Sequence, residues 1–176
     1  MSNPVLLLDA AWRVDRIVGV EYACEMLLDR RAVPASDDVA SVMRSQSLHV
    51  TVPSVIARVG TLRSSGGRGV SCSPRRIRLR DEHVCQFVID GVPCSRRGDT
   101  VDHLRPRALS GLTSWENCCA ACRVHNGLKA ATPWSEMTRR HGWTLRRQPF
   151  VPTRSQIIVA GIGGASRPEW APFLTV

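Results

Sequence analysis

The chain predicts an α+β protein: a small N-terminal α/β module over residues 1–70, a unit with metal-ligand knuckles over residues 71–148, and a C-terminal tail over residues 149–176. Three observations predict it. Short apolar runs of strand length alternate with a helical pattern before residue 60. Residues 64–74 are small and turn-rich. Between Cys85 and Lys129 two spaced ligand pairs bracket an Asp-His dipeptide. At 176 residues the chain is about one domain by size, enough for one modest core and a satellite.

Val5 to Ala10 is an apolar run of strand length, and Val14, Ile17 and Val18 form a second, so the pair reads as a buried hairpin. Val20, Cys24, Leu27 and Leu28 recur at helical spacing, with Arg30 and Arg31 where cations suit a helix C-terminus. That helix ends before Pro34. Residues 45–59 alternate partly around His49 and Thr51 and then meet Pro53, which predicts an edge strand and a bend. His49 has no partner at ligand spacing and reads as a surface strand residue. The run 64–74 lacks the Gly-Lys-Ser/Thr ending of a phosphate loop and reads as a linker. Ser73 is a good N-cap with Pro74 at the first helical position, so a helix of about two turns follows. It spreads Arg75, Arg76 and Arg80 over a face suited to a nucleic-acid backbone. Downstream, Trp134 to His141 reads as a helix closed by Gly142. The tail holds four of the eleven prolines and predicts extended or partly disordered chain.

Twenty-four Lys and Arg against fifteen Asp and Glu give a net charge of +9. The surplus is uneven: +1 over residues 1–70, +7 over residues 71–148 and +1 in the tail. A positive field concentrated on the ligand-bearing unit suits a phosphate polymer, because neutralised phosphates release counterions whatever the base sequence. Aromatic residues make up only 5% of the chain, which gives single-strand recognition by base stacking little support. No signal peptide or long apolar span is recognisable, so a cytoplasmic setting without a membrane partner is expected, and there spaced cysteines bind metal more often than they pair.

Cys85 and Cys94 flank an Asp90-Gly91 tight-turn signal that can bring two thiolates together. The second pair is either Cys122 with His125 or Cys119 with Cys122, both with two residues between. Either set suits tetrahedral zinc. Cys24, Cys72 and Cys118 read as small buried apolar residues.

Asp102-His103, then Asn117, then Cys122-x2-His125-Asn126 with Lys129 resembles the HNH endonuclease family in order and spacing. The resemblance implies a ββα-metal unit: strands at Asp99–His103 and Asn117–Ala121, a loop with Pro106, Ser110 and Gly111, and a helix from Arg123. It favours Cys85, Cys94, Cys122 and His125 as the ligands of a structural Zn2+, although Cys is commoner than His at the last position. It implies His103 as the general base, Asp102 and Asn126 as oxygen ligands of a catalytic Mg2+ or Mn2+, and Asn117 as a cross-loop bond that orients His103. Arg123 and Lys129 become candidate phosphate contacts, and duplex DNA the expected substrate. Leu112 stands where the family's second loop glycine is usual. Residues 6–12 and 53–56 also resemble the N-terminal region found with many bacterial and phage HNH proteins. Neighbours in a regular strand point to opposite faces, so Asp102 and His103 share a pocket only if a strand end or bulge re-aims one of them. A zinc-stabilised DNA-binding module without cleavage, or a nicking or RNA-directed nuclease component of a phage packaging or defence complex, are the alternatives.

Overall fold

The structure is a computed structural model and describes residues 3–60, 69–161 and 167–174. It is mixed α+β, with small sheets and several helices in two compact units. One comprises Met1–Arg68 with Arg154–Val176, the other Gly69–Thr153. Residues 64–68 of the expected linker lie outside the described residues.

In the first unit β1 (Val5–Leu8) pairs antiparallel with β2 (Val14–Val18), and α1 (Val20–Leu28) follows. After β3 (Ala32–Pro34), β4 (Val39–Arg44) and β5 (His49–Pro53) form a separate hairpin. β6 (Val55–Arg58) closes a four-stranded sheet of order β2-β1-β6-β3, parallel to β1 and antiparallel to β3. The segment expected at an edge is therefore partly interior. Pro53 ends β5, as a residue without an N–H must, but the chain resumes two residues later between two strands.

The unbroken apolar run of β1 has a simple cause: both faces of the sheet are covered. Val5 and Leu7 pack with Val20, Met26 and Ile56 on the α1 side. Leu6 and Leu8 pack with Val14, Val55 and Trp170 on the other. Trp170 has no exposed surface and donates its indole N–H to the Ser54 carbonyl at 3.0 Å. The expectation of a loose tail is corrected here. A helix at Arg154–Gly161 and a short 3-10 helix at Pro168–Phe173 cover the second face of the sheet, because burying one tryptophan outweighs the local preference of the prolines around it.

The second unit begins with α2 (Pro74–Arg80), whose N-cap Ser73 accepts from the Arg76 N–H. A short hairpin, β7 (Phe87–Ile89) and β8 (Val92–Pro93), turns at Asp90 and Gly91 with φ of 51° and 74°, the left-handed pair a two-residue hairpin requires. Then β9 (Thr100–His103) pairs antiparallel and in regular register with β10 (Cys118–Ala121), so that His103 faces Cys118 and Asp102 faces Cys119. Next come α3 (Arg123–Lys129), α4 (Trp134–His141) and the two-residue β11 (Thr144–Leu145), which returns to β7. Phe87 anchors the core, its ring 5.4 Å from both Trp134 and Trp143.

Arg80 locks α2 onto β10. Its guanidinium is buried, pairs with Asp81 at 2.8 Å, and donates to the carbonyls of Trp115, Cys118 and Phe150. Asp81 in turn accepts the Ala120 N–H at 2.7 Å. The expectation that Arg80 faces a nucleic acid is thereby corrected: three carbonyls and a carboxylate saturate its donor fork.

Candidate functional site

Two constellations meet in the second unit. The first is metal-ligand chemistry. The Asp90-Gly91 turn folds Cys94 back over Cys85, and α3 starts at Cys122, so its first turn carries His125 toward them. The ligand atoms of Cys85, Cys94, Cys122 and His125 all lie within 4.8 Å of one another. Cys85 Sγ and His125 Nδ1 are 3.7 Å apart. Tetrahedral zinc with bonds of about 2.3 Å to sulfur and about 2.0 Å to nitrogen holds such a pair about 3.6 Å apart, so this pair matches that ion and the cluster could hold it.

The surroundings act on the ligands in both directions. Backbone N–H groups of Arg96 and His125 point at Cys94 Sγ and Cys122 Sγ, each at 3.4 Å. Arg146 ties the two limbs of the knuckle together through the Cys85 and Cys94 carbonyls at 3.2 and 2.8 Å. Burial and the nearby Arg96 hold His125 below the ordinary imidazole range, keeping it neutral. Burial pushes the Cys85 thiol up to about 12, so an incoming metal must displace a proton. Cys119 lies in β10 and is fully buried, outside the cluster. Cys24 and Cys118 are buried apolar residues, and Cys72 is half-buried.

The second constellation is a cleft of about 260 Å³ whose polar walls are Asp102, His103, Asn126 and Arg107. His103 is the last residue of β9, and no bulge interrupts the register, so the strand end re-aims it. Its Nε2 lies 2.9 Å from the Thr113 hydroxyl. Burial first, then the charges of Arg107 and Lys129, lower its pKa from the usual imidazole value.

Asn117 holds the loop between the strands rather than touching His103. Its Oδ1 accepts from the Arg105 N–H at 2.8 Å, and its Nδ2 donates to the Arg105 and Leu112 carbonyls at 3.1 and 2.8 Å. Gly111 packs so tightly that a Cβ there would run into the Arg105 carbonyl. Thr113, which carries the contact to His103, follows directly after that clamped turn; nothing in the sequence marks it.

Lys129 differs from expectation. Its ammonium is fully buried, 3.0 Å from Asp102 Oδ2 and 3.3 Å from Oδ1, and it donates to the His103 carbonyl at 2.8 Å. A phosphate contact by Lys129 is excluded in this arrangement. Asp102 is itself buried, and burial raises its pKa against the pull of Lys129.

Two further side-chain oxygens belong to cleft residues. Asp102 Oδ2 is buried and accepts no hydrogen bond, but the Lys129 ammonium lies 3.0 Å from it. Asn126 spends its Nδ2 on Thr100 Oγ1 and the Val101 carbonyl, at 2.9 and 3.4 Å, and among the described residues nothing donates to its Oδ1. Asp102 and Asn126 thus bring oxygen, the donor type a hard cation takes, to one cleft, with Lys129 already on the carboxylate.

Of the other expected phosphate contacts, Arg75 is exposed and Arg76 is half-buried, donating to Ser71. Arg123 is exposed and pairs with Asp99 at 3.0 Å. Among the described residues no helix is long and apolar enough to cross a membrane. No protein-family model matches the chain, and no curated protein and no solved structure matches it at a significant level.

Proposed function

We propose that this chain is a metal-dependent endonuclease of the HNH type that hydrolyses phosphodiester bonds in DNA, its β9-β10-α3 segment serving as a ββα-metal core. The observation that carries the reading is that His103, Asp102 and Asn126 line one cleft. The helix that brings Asn126 there starts at Cys122, inside a Cys3His cluster fit for zinc. Zinc at the helix start would fix α3 against the knuckle and so fix Asn126 against β9.

In this reading Thr113 accepts the Nε2–H of His103, which leaves the lone pair on Nδ1 to take a proton from the attacking water. The lowered pKa keeps that nitrogen free of a proton at neutral pH. Asp102 and Asn126 would hold Mg2+ or Mn2+ through oxygen, and that ion would supply charge stabilisation at the phosphate and the leaving oxygen. Lys129 spans the Asp102 carboxylate and the His103 carbonyl and so sets the spacing of base and ligand. The charge of +7 over residues 71–148 gives duplex DNA a sequence-independent electrostatic hold.

One observation favours a second reading, a zinc-stabilised DNA-binding module without cleavage: Asp102 is already neutralised by Lys129. Supercoiled plasmid incubated with the protein in Mg2+, Mn2+ or EDTA separates the two. Nicked or linear product in either metal and none in EDTA is expected of the nuclease. Salt-sensitive binding without product in any metal would leave the binding module.

A further inference from the structure

The cleft has four polar walls, and three already have roles in the reading above. The fourth is Arg107. It opens the 3-10 turn Arg107–Leu109, which follows Pro106 and ends at Ser110 in the left-handed region. The turn is held on every side. Arg105 Nε donates to the Leu109 carbonyl at 2.7 Å, Gly111 N–H donates to the Pro106 carbonyl at 3.0 Å, and Asn117 ties Arg105 to Leu112. Arg107 is thus a long cationic side chain on a fixed base.

Among the described residues the neighbouring cations have partners of their own. Lys129 is buried on Asp102, Arg123 sits on Asp99, and Arg105 donates to a carbonyl. Among the described residues the exposed Arg107 guanidinium makes no hydrogen bond and no ion pair. It lines the same cleft as His103. With Asp102 matched by Lys129, the one uncompensated charge on the cleft wall is positive. An anion entering beside His103 would meet that guanidinium as the cation among the cleft's lining residues.

We propose that Arg107 grips the substrate phosphate in this cleft, engaging two oxygens of a phosphodiester with its guanidinium fork. The proposal rests on the nuclease reading for its substrate class. A planar fork matches the two unesterified oxygens of a diester, and a lysine would present only a point charge. Arg107 holds the phosphate within reach of the water that His103 deprotonates, and it takes no part in proton transfer.

The test uses the full zinc-loaded chain. With no Mg2+, Mn2+ or chelator added, diethyl phosphate is titrated in while the His103 ring signals are followed by NMR. Wild type is expected to show a saturable shift, Arg107→Ala none, and Arg107→Lys a weaker one. Equal shifts in wild type and Arg107→Ala, or no shift in wild type, would overturn the proposal. In a parallel cleavage assay with Mg2+ or Mn2+, Arg107→Ala is expected to lower kcat/KM by about 10²-fold with zinc content unchanged, the scale for losing one preorganised donor. Unchanged cutting by Arg107→Ala while His103→Ala is inactive would overturn the Arg107 assignment alone. A wild type that cuts in no metal would instead remove the nuclease reading, and the titration would still decide whether Arg107 binds a phosphodiester.

Discussion

Lys129 Nζ lies 3.0 Å from Asp102 Oδ2 with both side chains sealed from solvent, so the cation that sequence order suggests for the substrate is spent inside the fold. Removing one partner of a buried pair strands the other charge, at a cost of about 3–5 kcal/mol. Lys129→Met is expected to lose that much in urea unfolding, and Lys129→Met combined with Asp102→Asn to lose clearly less. A Lys129→Met protein as stable as wild type but weakened in DNA binding would restore the phosphate-contact role.

The metal cluster makes a ligand-by-ligand prediction. About one equivalent of zinc per chain should survive mild dialysis, as in a closed four-ligand site. Cys94→Ala and His125→Ala should lose it, Cys119→Ala should keep it, and His125→Cys should keep it because zinc accepts thiolate as readily as imidazole. Elemental analysis showing loss in Cys119→Ala and retention in His125→Ala would reverse the ligand set.

The pH dependence of cutting follows from His103. The base works only when neutral, so the rate falls as pH drops through its pKa. Burial, Arg107 and Lys129 lower that pKa, which puts the acid limb below the ordinary imidazole value of about 6.5. Arg107→Ala removes one of the lowering charges and should move the limb upward. A limb in wild type above about 7, or one that moves down in Arg107→Ala, would contradict this electrostatic account.

Much of the chain was legible because local signals and tertiary demands agree in it. Ser73-Pro74 reads as a helix start and is one, and Asp90-Gly91 reads as a hairpin turn and adopts its dihedrals. Cys85, Cys94, Cys122 and His125 come together as their spacing and the family resemblance suggest. What stayed illegible depends on contacts distant in sequence. Arg80 looks like any helix-surface arginine until Trp115, Cys118 and Phe150 bring it their carbonyls. Trp170 sits among prolines and a glycine-rich run, and only the bare second face of β1 and β6 explains why it is buried. Thr113 and Arg107 carry no motif at all, and their importance comes from a loop that Asn117 and Gly111 hold in one shape.

Catalysis and folding separate most directly in single-turnover plasmid cleavage by His103→Ala and Cys122→Ala, measured beside zinc content, circular dichroism and DNA affinity. His103→Ala should retain metal, helix and affinity while cutting about 10² to 10⁴ times more slowly, the range for loss of a general base. Cys122→Ala should lose all of them together, because a structural thiolate is gone. Cleavage by His103→Ala at the wild-type rate in Mg2+ or Mn2+ would contradict the central claim that His103 is the base of a nuclease site.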